Sequence, residues 1–148
     1  MTSYRRFLLM IIASTVVMFG MMYLNTYVLS HVYFSETRAF MALVMGAGMA
    51  IIMLGFMWRM YANKPLNVMI LAGAAIVFCV SLWLVRSQST VDDIAWMKAM
   101  IPHHSIAIMT SSRANLSDPR VIDLSQRIIE AQEREITEMK RLISDLER

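Results

Sequence analysis

The sequence predicts an all-α protein in which three transmembrane helices precede a soluble antiparallel helical hairpin. Long uncharged apolar runs dominate the chain up to Val85, whereas the part after Ser87 is rich in charged residues. In that charged part, apolar residues recur at helical spacing rather than in the alternation typical of strands. We therefore divide the chain into a three-helix membrane anchor, residues 1–86, and a soluble two-helix domain, residues 87–148.

The anchor is predicted from three runs that contain no charged residue. These runs cover residues 7–29, 39–58 and 65–85. Each has about the 20 residues that a helix needs to cross a bilayer. A cleaved signal peptide is the competing interpretation of the first run, but the run is long and lacks a small-residue cleavage site.

The basic residues predict the orientation of the anchor. One side of the membrane carries four of them: Arg5, Arg6, Arg59 and Lys64. The other side carries only Arg38 and Arg86 close to the membrane. The positive-inside rule then places the N-terminus in the cytoplasm and the C-terminal domain outside. Because the basic residues flank apolar runs and form no continuous face, nucleic acid is not an expected partner.

The soluble half contains signals for two helices. Thr90 followed by Asp93 is typical of a capping box at a helix start, and a helix is predicted over residues 91–114. Asp118 before Pro119 is a favourable start for the last helix, residues 119–146. A hairpin of about 60 residues is near the lower limit for independent folding. Pairing with a second copy into a four-helix bundle is therefore expected, and packing on the membrane helices is the alternative.

The segment from Met97 to His104 carries the clearest chemical signal. Pro102 directly precedes His103 and His104, and Met100 and Met97 lie about one and two helical turns before them, respectively. Thioether sulfur and neutral imidazole are the ligands that monovalent copper favours. A proline inside a helix is costly, which indicates a functional reason for keeping it there.

The last helix offers partners for this cluster. Gln132 and Glu135 fall within its apolar face, about two turns and one turn before Met139. Buried polar groups need partners, and a facing histidine supplies one. Met109 projects to the opposite side of an ideal first helix, although a kink at Pro102 changes that projection.

Two further features have a structural and a functional interpretation. Five methionines recur every fourth residue in the second run: Met41, Met45, Met49, Met53 and Met57. They are explained either by helix packing, which the pattern favours, or by a thioether ladder that guides a soft metal. His31 follows the first run and is expected to be solvated, with a peripheral metal ligand as the alternative.

The same residues resemble a known family. The run from Trp96 to Met109, WMKAMIPHHSIAIM, and the later QEREITEM from Gln132 to Met139 are similar to the bacterial family called domain of unknown function 305. The resemblance covers about residues 90–146. It implies a ferritin-like helical bundle, and some members resemble periplasmic copper-binding proteins involved in copper tolerance.

The resemblance also implies a ligand set for copper, most favourably Cu(I). It consists of Met97, Met100, His103, His104, Met109 and Met139, with Gln132 and Glu135 as supporting polar residues. Some copper-binding relatives have two copies of the hairpin, whereas this chain has one, which again favours a homodimer.

These observations favour a multi-pass protein of the bacterial inner membrane whose periplasmic or extracellular domain binds copper and meets a copper-trafficking partner. The alternative is a metal-free helical assembly module in which Glu135 satisfies a histidine. We do not expect an enzyme, because the sequence contains neither the Glu-x-x-His motif of di-iron bundles nor the His-Glu-x-x-His motif of zinc proteases.

Overall fold

The computed structural model describes residues 3–148, which form five α-helices. The helices are α1 (Ser3–Met21), α2 (Glu36–Phe56), α3 (Lys64–Ser87), α4 (Asp93–Arg113) and α5 (Pro119–Leu146). No strand occurs in this part of the chain, so the all-α prediction is confirmed. The residues form two compact units, one of residues up to Met22 with Thr37–Thr90, the other of Tyr23–Glu36 with Val91–Arg148.

The helices α1, α2 and α3 are each long and apolar enough to cross a membrane. The apolar run predicted for α1 extends to residue 29, but α1 ends at Met21. The Thr26 hydroxyl donates to the Tyr23 carbonyl oxygen at 2.8 Å, a local hydrogen bond that competes with helix continuation. Residues 22–35 therefore make a longer connection than predicted, with a 3₁₀ turn at Leu29–His31.

The first unit has a small core of aromatic and aliphatic side chains. Its buried members are Phe7, Ala50, Leu54 and Tyr61. The Tyr4 hydroxyl donates to the Oδ1 atom of the buried Asn67 at 2.8 Å. A Cβ atom added at Gly46 would lie 2.2 Å from the Thr15 hydroxyl oxygen, so α1 and α2 require glycine there.

The methionines of α2 divide into two groups. Met53 and Met57 pack against the core of the first unit, which supports the packing interpretation for these two. Met41 and Met45 are exposed.

The helices α4 and α5 are both capped by an aspartate. Asp92 caps α4, and its carboxylate accepts from the Ala95 N–H at 2.7 Å. The predicted cap at Thr90 is therefore wrong, because α4 starts two residues later than the pattern indicated. The predicted start of α5 is confirmed, since the Asp118 carboxylate accepts from the Arg120 N–H at 2.9 Å and Pro119 is the first helical residue.

The helices α4 and α5 pack as an antiparallel hairpin, as predicted. Three polar contacts show the direction: Lys98 with Glu147 at the end of α5, His104 with Glu135, and Ser125 with the Ser111 carbonyl. Residue numbers rise along α4 as they fall along α5. The buried core of this second unit consists of Met97, Ile101, Ile108, Ile136, Met139 and Ile143.

Candidate functional site

Pro102 lies within α4, and its side chain is fully buried. Because proline has no N–H, the Lys98 carbonyl four residues earlier loses its usual helix donor. The helix nevertheless continues from Asp93 to Arg113. The two histidines follow directly, and α4 directs them to different surroundings.

His104 is buried and both of its ring nitrogens have protein partners. The Nδ1 atom lies 3.0 Å from the Met100 carbonyl oxygen, one turn back in α4. The Nε2 atom lies 2.6 Å from a carboxylate oxygen of Glu135 on α5. Both ring nitrogens are therefore engaged within the hairpin. The predicted pairing of Glu135 with a histidine is thus present.

His103 differs from its neighbour in almost every respect. Its side chain is exposed, and its ring centroid lies 6.3 Å from that of His104. Within residues 3–148, its ring nitrogens have no hydrogen-bond partner. Met100 precedes it by three residues, a spacing that places the two side chains beside each other on a helix surface.

The structure brings three of the four predicted methionine ligands together. Met97 and Met139 are buried in the core of the second unit, and Met100 packs against that core. Met109 is half-buried and projects about 180° from Met100 on an ideal helix. Gln132 is half-buried, but within residues 3–148 the ring of His104 bonds to Met100 and Glu135 rather than to Gln132.

No group of three or more His, Cys, Asp or Glu side chains is placed to hold a metal ion within residues 3–148. The donors that remain are one exposed imidazole, one engaged imidazole and the thioethers beside them. Their chemistry suits a soft monovalent ion. A metal bound at His104 needs an unprotonated ring nitrogen, so it must replace one of the two hydrogen bonds.

Sequence reasoning missed a second polar contact, on Ser105. This side chain has 0% exposure, and its Oγ atom accepts from the Tyr27 N–H at 2.8 Å. The same Oγ lies 3.0 Å from the Nδ1 atom of His31. His31 is therefore held by α4 instead of being only solvated, and Tyr23–Glu36, which include most of the connection between α1 and α2, belong to the hairpin unit. A serine between Ile101 and Ile108 on the buried face was the available signal, because a buried hydroxyl needs a partner.

Two groups near His31 affect its charge. Burial lowers the pKa of His31, and the Lys140 ammonium lowers it further. The neutral ring accepts the Ser105 proton at Nδ1 while Ser105 accepts from Tyr27, so all three groups are satisfied. Tyr33 from the same connection packs against the hairpin core, and Tyr27 lies 5.9 Å from the Arg113 guanidinium.

Comparison with known proteins identifies the hairpin region. Residues 83–143 match the family model described as Domain of unknown function (DUF305), which confirms the resemblance for this segment of the chain. The chain is 34% identical over 71 residues to "Uncharacterized protein L153" of Acanthamoeba polyphaga mimivirus. The match covers 47% of this chain and 47% of that protein, so the chain spans about half the length of this relative. No solved structure matches the chain significantly.

Proposed function

We propose that this protein, whose residues 83–143 match the DUF305 family model, is a membrane-anchored copper-binding protein with a role in copper handling or tolerance. The observation that carries the proposal is the set of donors on α4 beside the His104–Glu135 pair. Met100 is half-buried and lies one turn before the exposed His103 and the buried His104. A soft metal finds both thioether and imidazole donors there.

The sulfur and imidazole donors suit copper, and some of them lie near the surface while others lie in the core. His103 and Met100 offer donors near the surface, whereas Met97 and Met139 offer sulfur in the core. Glu135 holds the ring of His104 in one orientation, as a carboxylate commonly does beside a metal-binding imidazole. His103 and Met100 are therefore the proposed first ligands, and His104 joins them when one of its hydrogen bonds is replaced.

The membrane helices and the charge pattern support the proposed location. Arg59 and Lys64 lie at the connection between α2 and α3, on the side where Arg5 and Arg6 precede the first apolar run. The positive-inside rule makes this the cytoplasmic side. We propose that the hairpin lies on the outer face, which is the periplasm in a bacterium, and works as a homodimer that exchanges copper with a trafficking partner.

The test is Cu(I) binding to the full chain in detergent, measured by competition with a chromophoric chelator. The His103→Ala/His104→Ala double variant and the Met100→Leu variant are each expected to weaken binding by at least tenfold, because each loses donors. Met to Leu conserves volume and leaves the fold intact. His31→Ala is the matched control, because it also removes a histidine, but one that contacts α4 at Ser105.

Binding that survives both α4 variants would overturn the copper site at these residues. A folded chain that binds no Cu(I) would leave the second candidate, a metal-free assembly module. One observation favours that candidate, because Glu135 and the Met100 carbonyl already fill both ring nitrogens of His104.

A further inference from the structure

The helix α5 has an apolar arc that is wider than one neighbouring helix covers. Ile136, Met139 and Ile143 are buried against α4. A second row of apolar residues stays at the surface: Leu124, Ile128, Leu142 and Leu146, with Ala131 and Glu135 between them. The mean directions of the two rows are about 75° apart in projection, and the whole apolar arc from Leu124 to Ile136 spans about 120°, whereas a helix with one neighbour typically has a stripe of about 100°. We call the second row the outer row.

The outer row lines two grooves that it shares with α4. One groove, of about 370 Å³, is lined by Trp96, Leu142 and Leu146 among others. The other, of about 230 Å³, is lined by Leu116, Leu124 and Ile128 among others. The His104–Glu135 pair lies between these grooves along the hairpin. Leu124, Leu142 and Leu146 are 47%, 38% and 56% exposed, so this face is apolar and open.

The charges beside the outer row identify what fits it. The rim of the row is basic in the N-terminal half of α5, at Arg120 and Arg127, and acidic in the C-terminal half, at Glu138 and Asp145. The next row outward is reversed, with Asp123 in the first half and Arg141 in the second. The pattern therefore changes sign about a point near Gln132.

Such a pattern is complementary to a second α5 that runs in the opposite direction. In a twofold contact each residue pair occurs twice. With the axis near Gln132, Arg120 faces Asp145 of the second copy and Arg127 faces Glu138. The same register places Leu124 opposite Leu142, so apolar side chains meet along the row.

We infer that the outer row is the interface between two copies of this chain, packed antiparallel along α5 about a twofold axis. Each α5 then has two helical neighbours on adjacent sides, as in a four-helix bundle. The connection 23–36 contacts α4 through Ser105, on the side away from Glu135, and leaves this face open. The interface rests on the proposed homodimer and is independent of copper.

The interface also completes the site around His104. The Glu135 side chain is 54% exposed within one copy, and it lies in the outer row close to the axis. The second copy covers it and brings a second His104–Glu135 pair beside the first. Water is excluded from both pairs, and the two Met100 side chains lie on the same face of the assembly.

Charge reversal tests the register in the full chain, in detergent and without copper, with the dimer dissociation constant measured by concentration-dependent light scattering. Arg127→Glu and Glu138→Arg are each expected to raise this constant about tenfold, because attraction becomes repulsion at two symmetric positions. The Arg127→Glu/Glu138→Arg double variant is expected to restore the dimer. Within α5, Arg127→Glu places a second negative charge near Asp123, and Glu138→Arg places a second positive charge near Arg134. The double variant keeps both of these repulsions within one helix, so a restored dimer must come from the contact between chains.

A cysteine near the axis gives a second, independent measurement. In a Cys79→Ser background, Ala131→Cys is expected to form a disulfide-linked dimer under mild oxidation, whereas Glu130→Cys, on the outward side of α5, is the matched control. Restoration by the double variant together with cross-linking at residue 131 alone supports the interface. A dimer whose dissociation constant is unchanged by the charge reversals overturns this interface but not the proposed homodimer. A chain that is monomeric overturns both. Neither result bears on Cu(I) binding.

Discussion

The two sides of α4 present adjacent polar residues that are buried in different ways. On one side, His104 is held by Glu135, which comes from the neighbouring helix and is half-exposed. On the other side, Ser105 is completely buried and is held by the connection between α1 and α2. The first side keeps donors near a surface that solvent or another chain can reach. The second side fastens a distant segment to the hairpin, so the first side is the one to which we assign the proposed binding role and the second side has a structural role.

The largest expected effect comes from the core residue that both sides share. Ile101 has 0% exposure and lies one turn before Ser105 and three residues before His104. Ile101→Ala is expected to lower the free energy of opening of α4 and α5 by about 2–5 kcal/mol, because it removes buried methylene groups and leaves a cavity. Amide hydrogen exchange on the full chain in detergent measures this.

Ile101→Val is the control, with an expected loss of about 0.5–1.5 kcal/mol. An Ile101→Ala loss no larger than that of the valine variant would show that the core of the hairpin does not depend on this contact.

Ser105→Ala is expected to affect only the side that holds the connection. It leaves the Tyr27 N–H without its acceptor, at a cost of about 1–3 kcal/mol. Hydrogen exchange should therefore rise at Tyr27 and its neighbours by about fivefold to one hundredfold, since each 1.4 kcal/mol is a factor of ten. The amides of α5 near Glu135 should keep their rates.

Ser112→Ala is the matched control for Ser105→Ala. The Ser112 hydroxyl is exposed and donates to the Met109 carbonyl within the same helix. If both variants leave Tyr27 equally protected, the contact with Ser105 does not fasten the connection.

The two sides differ in how far the sequence predicts them. His104 and Glu135 are unusual residue types on apolar helix faces, so their pairing could be inferred from helical projection alone. Ser105 is a common residue, and its partner at Tyr27 is a backbone N–H that any residue except proline possesses. Tyr27 and Ser105 are 78 positions apart in the sequence and share no local pattern, so the contact exists only in the tertiary structure. The caps show the same limit, because Asp92 and Thr90 are both good cap residues and packing decides between them.

The docking of the connection onto α4 is expected to depend on pH, with a smaller effect than that of Ser105→Ala. The reason is that protonation of His31 affects only one of the two contacts of Ser105. The pKa of His31 is lowered by burial and by Lys140, so the unfolded connection binds a proton more readily than the docked one. Docking is therefore strongest above the ordinary histidine pKa of about 6.5 and weakens as pH falls through the lower folded value. Glu133 and Lys140 are the other charged groups lining the groove beside His31.

The measurement is the protection factor of the Tyr27 amide between about pH 8 and pH 5. The His31→Asn variant should lose this dependence, and Lys140→Gln should reduce it. A protection factor that increases on acidification would mean that protonated His31 is the docked form.

The smallest effect on stability is expected from Glu135→Gln, and its size depends on whether a second copy covers the His104–Glu135 pair. In a single copy the carboxylate is half-exposed, so Glu135→Gln should cost only about 0–1 kcal/mol, since glutamine still accepts from His104. In the antiparallel dimer water is excluded, and losing one charge of a buried pair costs more. Thermal unfolding at protein concentrations below and above the dimer dissociation constant separates these cases. A large loss that is the same at both concentrations would mean that one copy alone shields Glu135, and that the side of α4 that carries His104 is closed without any partner.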